Sequence, residues 1–541
     1  MAIEINKIVG TSNRILEIDL KSEQVKELQV TDNDRKVYLG GKGLGLKLLF
    51  ERLQPGIDPL GENNYLAFMM GVLMGTGAPC SGRFAALTKS PLTGIMLTSS
   101  CGGPFGMAYK TAGYDGLLIT GKSAKPIVLE IDSHGVKFQD GAHLWGQDTV
   151  ATQQALGSDR KTGVLAIGPA GENRIRYANI ASGHRFLGRG GMGAVMGAKN
   201  LKAIVAHGGT YRILPNDPNK FKAVCKKATG YIKANKYTGN LYRNYGTNSN
   251  TRTCNEAGLI PINNFRRGSD KRTEEISGQT IQEKYHTSFD TCQPCTILCG
   301  HKGTYPDGSE QHIPEYESVN LLGPNLGIFD TGRITEFNDI CGRMGMDTIS
   351  SGVTLAWVME AAAKGLIKTD LKFGSPAGIS DTLLRIARRQ GQGDEFANGT
   401  RWLSQKYGGR EFAIQVKGLE MAAYDPRGSW GQGLAYAVAN RGACHLSAYL
   451  VALEILFKYL NPFKTYAKAE FTKLFESAFC GVNSLHTCQF TAYAYTMESP
   501  LTKYTPDPVL AVMMQYLPQV TTKLVDFSIY ADLFEAVSGI P

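Results

Sequence analysis

The spacing of apolar and polar positions changes along this chain and divides it into stretches of different character. Residues 14–20 (Arg-Ile-Leu-Glu-Ile-Asp-Leu) and 126–132 (Pro-Ile-Val-Leu-Glu-Ile-Asp) alternate with period two, the signature of strands with one buried face. Residues 114–121 predict a further strand with a turn behind it, and 149–156 a helix. From about Asn216 the apolar residues recur at three- and four-residue spacing over 221–236, 334–344 and 353–365, which predicts helices. The polar stretch 369–382 reads as a surface loop ahead of a helix at 383–390. A third stretch begins near Lys417 and is predicted helical almost to Pro541. The expectation is an α+β protein: a β-rich domain over 1–211, then two mainly helical domains over 212–416 and 417–541. No internal repeat or low-complexity tract interrupts it. The apolar runs at 65–74 and 447–457 are too short to cross a bilayer, and residues 1–7 lack the apolar core of a signal peptide, so no membrane insertion is expected.

A length of 541 residues suits two to four domains, and 43% hydrophobic with 20% charged residues is ordinary for a soluble globular protein. Glycine changes the picture. The 63 glycines gather at 40–45, 71–83, 90–94, 101–106, 168–172 and 183–194, where the backbone must approach something closely. The last of these contains Gly188-x-Gly190-x-x-Gly193, a weak dinucleotide signal. Its exposed N–H groups, with Arg185 and Arg189 beside them, suit a phosphate or a flat heterocycle; glycines serving only tight turns are the rival reading. The net charge of +10 is diffuse, without the Lys/Arg stripe of a nucleic-acid binder. It suits an acidic partner protein or an anionic ligand, or a merely solvated surface. The 11 cysteines, an odd number in a large chain, argue for reduced thiols in a cytoplasmic compartment.

Three of those cysteines stand at Cys292, Cys295 and Cys299, with Pro294 in the turn between the first two. Thiolates at x2 and x3 spacing can surround one small volume, and a cubane iron–sulfur cluster needs one more. Cys444, Cys480 and Cys488 are the distal candidates. A tetrahedral zinc site and three buried free thiols are the rival readings.

Further segments complete a resemblance: Gly82-Arg83 with Thr88-Lys-Ser-Pro-Leu-Thr-Gly94, Ala112-Gly-Tyr-Asp115, Leu144-Trp-Gly146, Gly168-Pro-Ala-Gly-Glu-Asn173, Gly188-Arg-Gly-Gly-Met-Gly-Ala-Val-Met-Gly197, Pro314-Glu-Tyr-Glu-Ser318, Asp347-Thr-Ile-Ser350, Asp425-Pro-Arg-Gly428 and Arg441-Gly-Ala-Cys-His445. Over most of its length the chain resembles the aldehyde:ferredoxin oxidoreductase family. The resemblance implies a β-rich saddle under two pterins and two helical domains over them. It implies tungsten (or molybdenum) held by the pterins, a [4Fe–4S] cluster, and a Mg2+ bridging the pterin phosphates. Cys292, Cys295, Cys299 and Cys488 match its cluster ligands, with Cys480 the competitor for the last. Arg83, Ser100, Gly102, Gly103, Arg185, Phe186, Gly188, Met346, Asp347 and Thr487 fall at its cofactor-binding positions. Glu317 and His445 match the side chains lining its metal pocket, as general base and as the group that polarises the carbonyl oxygen or shuttles the proton.

The implied activity is oxidation of an aldehyde to a carboxylic acid, with electrons passing through the cluster to ferredoxin or an iron–sulfur subunit. A catalytic subunit of a larger complex that reduces an aromatic acyl-CoA or a carboxylic acid is the alternative, and a cofactor-poor electron-transfer or scaffold relative is the third reading. Two departures stand out. The aspartate that usually leads each pterin-contacting turn is Gly342 in one and Asn483 in the other. The Glu-x-x-His pair that bridges subunits in some members reads Glu336-x-x-Asp339, so either a homodimer or a hetero-oligomer remains an expectation.

Overall fold

The structure is a computed structural model that describes residues 6–157 and 161–541. The β-rich part is two six-stranded sheets. The first runs Gln24–Gln29, Arg14–Asp19, Gly116–Thr120, Leu66–Met70, Phe84–Lys89, Met96–Cys101; the second runs Arg185–Leu187, Ile180–Ser182, Thr162–Ala166, Leu201–His207, Ile127–Asp132, Gly135–Asp140. Each contains one parallel pair in an otherwise antiparallel order, Arg14–Asp19 with Gly116–Thr120 and Ile127–Asp132 with Leu201–His207. Leu66–Met70 is buried on both faces, so its sequence is an unbroken apolar run with no alternation to read. Helix Pro104–Thr111 lies with both sheets in one core that includes Leu16, Phe68, Phe84, Phe105, Leu129, Leu165 and Ile204.

Asp115, from the Ala-Gly-Tyr-Asp motif, holds the edge of this core together. Its carboxylate is buried between Lys110 and Arg35, both paired with it, and accepts from the Asn13 N–H at 2.9 Å. A buried carboxylate is tolerated here because each oxygen has a cationic donor.

Two of the glycine-rich segments, 40–45 and 183–194, run into helices. Gly41–Arg52 and Met192–Ala198 use their small residues to bring backbones together. A Cβ on Gly45 would lie 2.7 Å from Leu87 Cδ1, and one on Gly197 would lie 2.0 Å from Gly171 O. The expected helix at 149–156 forms as Thr149–Leu156, capped by Asp148, whose side chain accepts from Ala151 N at 2.7 Å.

Beyond Tyr211–Leu214, which pairs in parallel with Asn6–Val9, the chain is mainly helical. Helix Pro218–Ala234 meets the last helix, Ser528–Ser538, through Asn216 N to Val537 O (3.1 Å), Asp217 N to Ala536 O (2.9 Å) and Lys220 Nζ to Glu535 (2.8 Å). The end of the chain therefore closes on the start of the helical part. One apolar core joins Val72 and Leu73 of the β-rich part to Ile232, Ile297, Tyr316, Val451, Tyr493 and Leu533. Ile297, inside the cysteine run, is anchored in it. Among the described residues no helix is long and apolar enough to cross a membrane.

Candidate functional site

The cysteine run follows the short strand Ser288–Phe289 and lies against the first sheet. Two glycines set that approach. A Cβ on Gly82 would lie 2.0 Å from Gln293 O, and one on Gly102 would lie 2.7 Å from Cys292 Sγ. Gly103 holds a positive φ of 101° at the start of helix Pro104–Thr111, where a Cβ would meet Ser182 O at 2.3 Å. Gly82 and Gly102 thus give the cluster loop its seat. Gly82→Ala is expected to displace that loop at a cost of about 1–3 kcal/mol and to lower iron content, read by iron assay and thermal melting. Full iron loading in the variant would contradict this account of the loop.

Cys292, Cys295, Cys299 and Cys488 form one electrostatically interacting group, all half-buried. Burial pushes the Cys488 thiol up to about 12, and neighbouring cysteines add to the shift. Burial likewise raises Cys299. Thiols raised in this way become thiolates against cationic iron rather than alone. Cys480 lies elsewhere, inside helix Lys468–Leu485, where it lines a cavity with Lys42 and Arg441. Of the three distal candidates Cys444, Cys480 and Cys488, the structure brings Cys488 to the trio.

A fifth cysteine joins them. Cys80 donates to Cys295, which lowers the Cys295 thiol to about 6, helped by the Leu298 N–H at 3.3 Å. Its carbonyl accepts from Cys488 N at 3.0 Å, and its Sγ accepts from Thr296 N at 3.5 Å. Cys80 stands in Ala78-Pro-Cys-Ser-Gly82, with no cysteine spacing to mark it, and the sequence reading passed over it.

Glu317 sits in the first turn of helix Tyr316–Leu322. Its Oε2 accepts from Ala423 N at 2.8 Å, while its buried Oε1 has no hydrogen-bond partner. His445 Nδ1, also buried and unpartnered, lies 3.5 Å from that oxygen. Burial raises the Glu317 carboxyl to about 7 and holds His445 well below its usual value, with Arg189 and Arg441 adding to the His445 shift. The pair faces a cavity of about 180 Å3 whose wall includes Arg83, Cys488 and the aromatic rings of Tyr424, Tyr449, Phe490 and Tyr493. Tyr316 is a packing residue: its hydroxyl donates to Ala423 O at 3.0 Å and its ring stacks on Tyr424.

Next to this lies a larger cavity of about 550 Å3, which shares Arg83, Leu446, Phe479 and Gln489 with the first. Lys42, Arg83, Lys417 and Arg441 line it against a single acid, Glu476. Burial lowers the Lys42 ammonium, and Arg441 lowers it further. Ser100 and Asn483 are also on its wall. Four cations with little compensation suit an anionic ligand. His486, fully buried under Gly41 with both ring nitrogens unpartnered, adds donor or acceptor capacity that the protein leaves unused. Lys42, Lys417 and Arg441 were missed as lining residues, although Lys42 stands in the Gly40-Gly-Lys-Gly segment and Arg441 opens the motif Arg441-Gly-Ala-Cys-His445.

The other expected cofactor positions are placed as follows. Arg185 pairs with Glu315 at 2.6 Å and donates to Asp290 O, beside Cys292 and Cys299, and its buried Nε is unpartnered. Phe186 packs at Gly342, where a Cβ would lie 3.2 Å from its ring, and Gly342 O accepts from Thr149 Oγ1. Gly188 has open space around its Cβ position. Asp347 caps helix Thr348–Ala363 through Ile349 N and Ser350 N and receives Arg189 Nε at 3.3 Å. Met346 is buried, and its carbonyl accepts from Asn179. Thr487 is buried beside Thr491. Arg189 also donates to Ala443 O and Glu420 O, so its guanidinium clamps the glycine segment to the helical part.

The family description "Aldehyde ferredoxin oxidoreductase, N-terminal domain" matches residues 15–208, and "Aldehyde ferredoxin oxidoreductase, domains 2 & 3" matches residues 223–541. The tungsten-containing aldehyde ferredoxin oxidoreductase of Pyrococcus furiosus is 38% identical over 90% of this chain and 82% of its own length. That of Thermococcus kodakarensis is 37% identical over the same shares. The WOR-like subunit of the aliphatic sulfonate oxidoreductase of P. furiosus is 28% identical over 81% of this chain and 75% of its own. Among solved structures, a chain of the active-site complex BamBC of benzoyl coenzyme A reductase shares the fold, with a TM-score of 0.75 at 23% identity over 97% of this chain and 89% of that one.

Proposed function

Because this chain belongs to the aldehyde ferredoxin oxidoreductase family, we propose that it oxidises aldehydes to carboxylic acids at a tungsten bis-pterin centre, with electrons leaving through a [4Fe–4S] cluster to ferredoxin. The observation that carries the reading is the Glu317–His445 pair, whose free, buried atoms lie together on a cavity walled by Arg83 and Cys488. When bound, tungsten on dithiolene sulfurs supplies the two-electron sink and the cluster the one-electron outlet.

The residues do the rest. The Ala423 N–H fixes the Glu317 carboxylate, leaving Oε1 to take a proton from water as the new C–O bond forms. With a carboxyl near 7, Glu317 is poised to accept that proton at neutral pH. His445 is neutral in this dry setting and has one ring proton to offer the carbonyl oxygen. The aromatic wall excludes water and receives an apolar aldehyde side chain. Anaerobically purified protein should reduce a viologen dye with an aldehyde, one acid formed per electron pair; tungsten-loaded protein inert towards a panel of aldehydes would overturn the reading.

Lys42, Arg83, Lys417 and Arg441 are the residues that would hold the anionic groups of the pterins, and a Mg2+ would belong to the same cofactor set. The double variant Lys42→Ala/Arg441→Ala is expected to carry several-fold less tungsten per chain, measured by elemental analysis, while its iron is retained. Equal tungsten in both proteins would remove these cations from cofactor binding.

The proposed electron partner is acidic, and Arg243 is a cation placed to meet it. It spans the outside of the cluster loop, with NH1 3.4 Å from Thr296 O and its guanidinium over the exposed ring of Phe289. Arg243→Gln is expected to slow ferredoxin reduction most at low salt while dye reduction is unchanged. Loss independent of salt would point to a structural role instead.

A further inference from the structure

Two histidines and an aspartate converge outside the site just described. His312 Nδ1 lies 2.8 Å from Asp290 Oδ2, His184 Nε2 lies 3.5 Å from Asp290 Oδ1, and the two imidazole rings stack with centroids 4.2 Å apart. One ligand atom from each residue falls within 4.8 Å of the other two. In a tetrahedral site with metal–ligand distances of about 2.0–2.1 Å, ligand atoms are about 3.3 Å apart, so small side-chain rotations complete the arrangement. The side chains are 36% (His184), 47% (His312) and 26% (Asp290) exposed, open enough for an ion to enter from solvent.

Each residue comes from a different element. His184 is at the tip of the hairpin joining Ile180–Ser182 to Arg185–Leu187. Asp290 begins the cluster loop, its N–H bonded to Gly300 O. His312 ends the strand Glu310–His312, a few residues before Glu317. Arg185, next to His184, already ties the hairpin to Asp290 O and to Glu315, just beyond the strand that ends at His312. Nitrogen donors with one carboxylate discriminate against Mg2+ and Ca2+, and they suit Zn2+ and its neighbours among the divalent transition metals.

We propose that His184, Asp290 and His312 form a binding site for a Zn2+-class divalent ion, separate from the cluster and the pterin centre, with water at the fourth position. The ion clips the second sheet, the cluster loop and the strand leading to Glu317 to one another. Its three protein ligands and open position are those of an exchangeable site rather than a closed structural one.

Holoenzyme with its cluster in place is equilibrated with Zn2+ buffered by a competing chelator. One equivalent is expected to bind, with a Zn K-edge absorption spectrum fitted by nitrogen and oxygen near 2.0–2.1 Å. His184→Ala/His312→Ala is expected to weaken binding at least about a hundredfold, more than loss of an outer-shell partner costs. His184 and Asp290 also brace the cluster loop, so the more exposed His312→Ala is measured alongside, with unchanged iron content showing that the loop is intact. The proposal is overturned by no uptake in the wild type, by equal uptake in the variants, or by a sulfur shell near 2.3 Å, which would place the zinc on thiols.

Discussion

Glu317→Gln is expected to lower kcat/KM for aldehyde oxidation by about 10²–10⁴-fold, the range for loss of a positioned general base. The amide is nearly isosteric and keeps an oxygen for the Ala423 N–H, so tungsten and iron contents should not change. The wild-type pH profile provides the second half of the result. The active form is the carboxylate, and burial raises its pKa to about 7. Activity should therefore fall as pH drops through about 7 and level off above it, and the variant should lose that limb. His445 does not supply it, because burial keeps its imidazole neutral throughout this range. A variant with wild-type kcat/KM, or a wild-type profile flat between about pH 6 and 8, would remove Glu317 from the chemistry.

Cys488→Ala is expected to abolish cluster assembly: iron falls towards zero, the reduced-cluster EPR signal disappears, and ferredoxin reduction stops. Cys480→Ala is expected to retain all three. The contrast follows from position. Cys488 interacts with Cys292 and Cys295, and its N–H bonds to Cys80, which itself contacts Cys295. Cys480 faces Lys42 across the large cavity. Without Cys488 three thiolates would remain, one short of the set that holds a cubane cluster. If Cys480→Ala lost the iron and Cys488→Ala kept it, the ligand set argued here would be wrong.

Periodicity was informative wherever one face of an element meets water. Residues 126–132 alternate because Ile127–Asp132 turns its polar side outward, and 149–156 reads as a helix because Asp148 caps it. It said nothing where both faces are buried, as in Leu66–Met70, or at Gly41–Arg52, where glycine density marked a close approach but not the helix that makes it. The cysteine run and its match to a family were legible because the spacing is local. The convergence of Lys42, Arg83, Lys417 and Arg441 on one cavity was not, since these residues come from distant parts of the chain and only the fold brings them together. The choice between Cys488 and Cys480 was open for a similar reason. They flank the same helix end, and only its docking against Cys80 separates them. Cys80 left no trace in spacing, because its neighbours in space are not its neighbours in sequence.

In the proposed function, four thiolates hold iron beside a heavy metal seated in the cationic cavity of Lys42, Arg83, Lys417 and Arg441. Elemental analysis of anaerobically purified protein tests it most directly. About one tungsten or molybdenum and about four iron per chain are expected; iron without the heavy metal, or zinc in place of both, would overturn the proposed function.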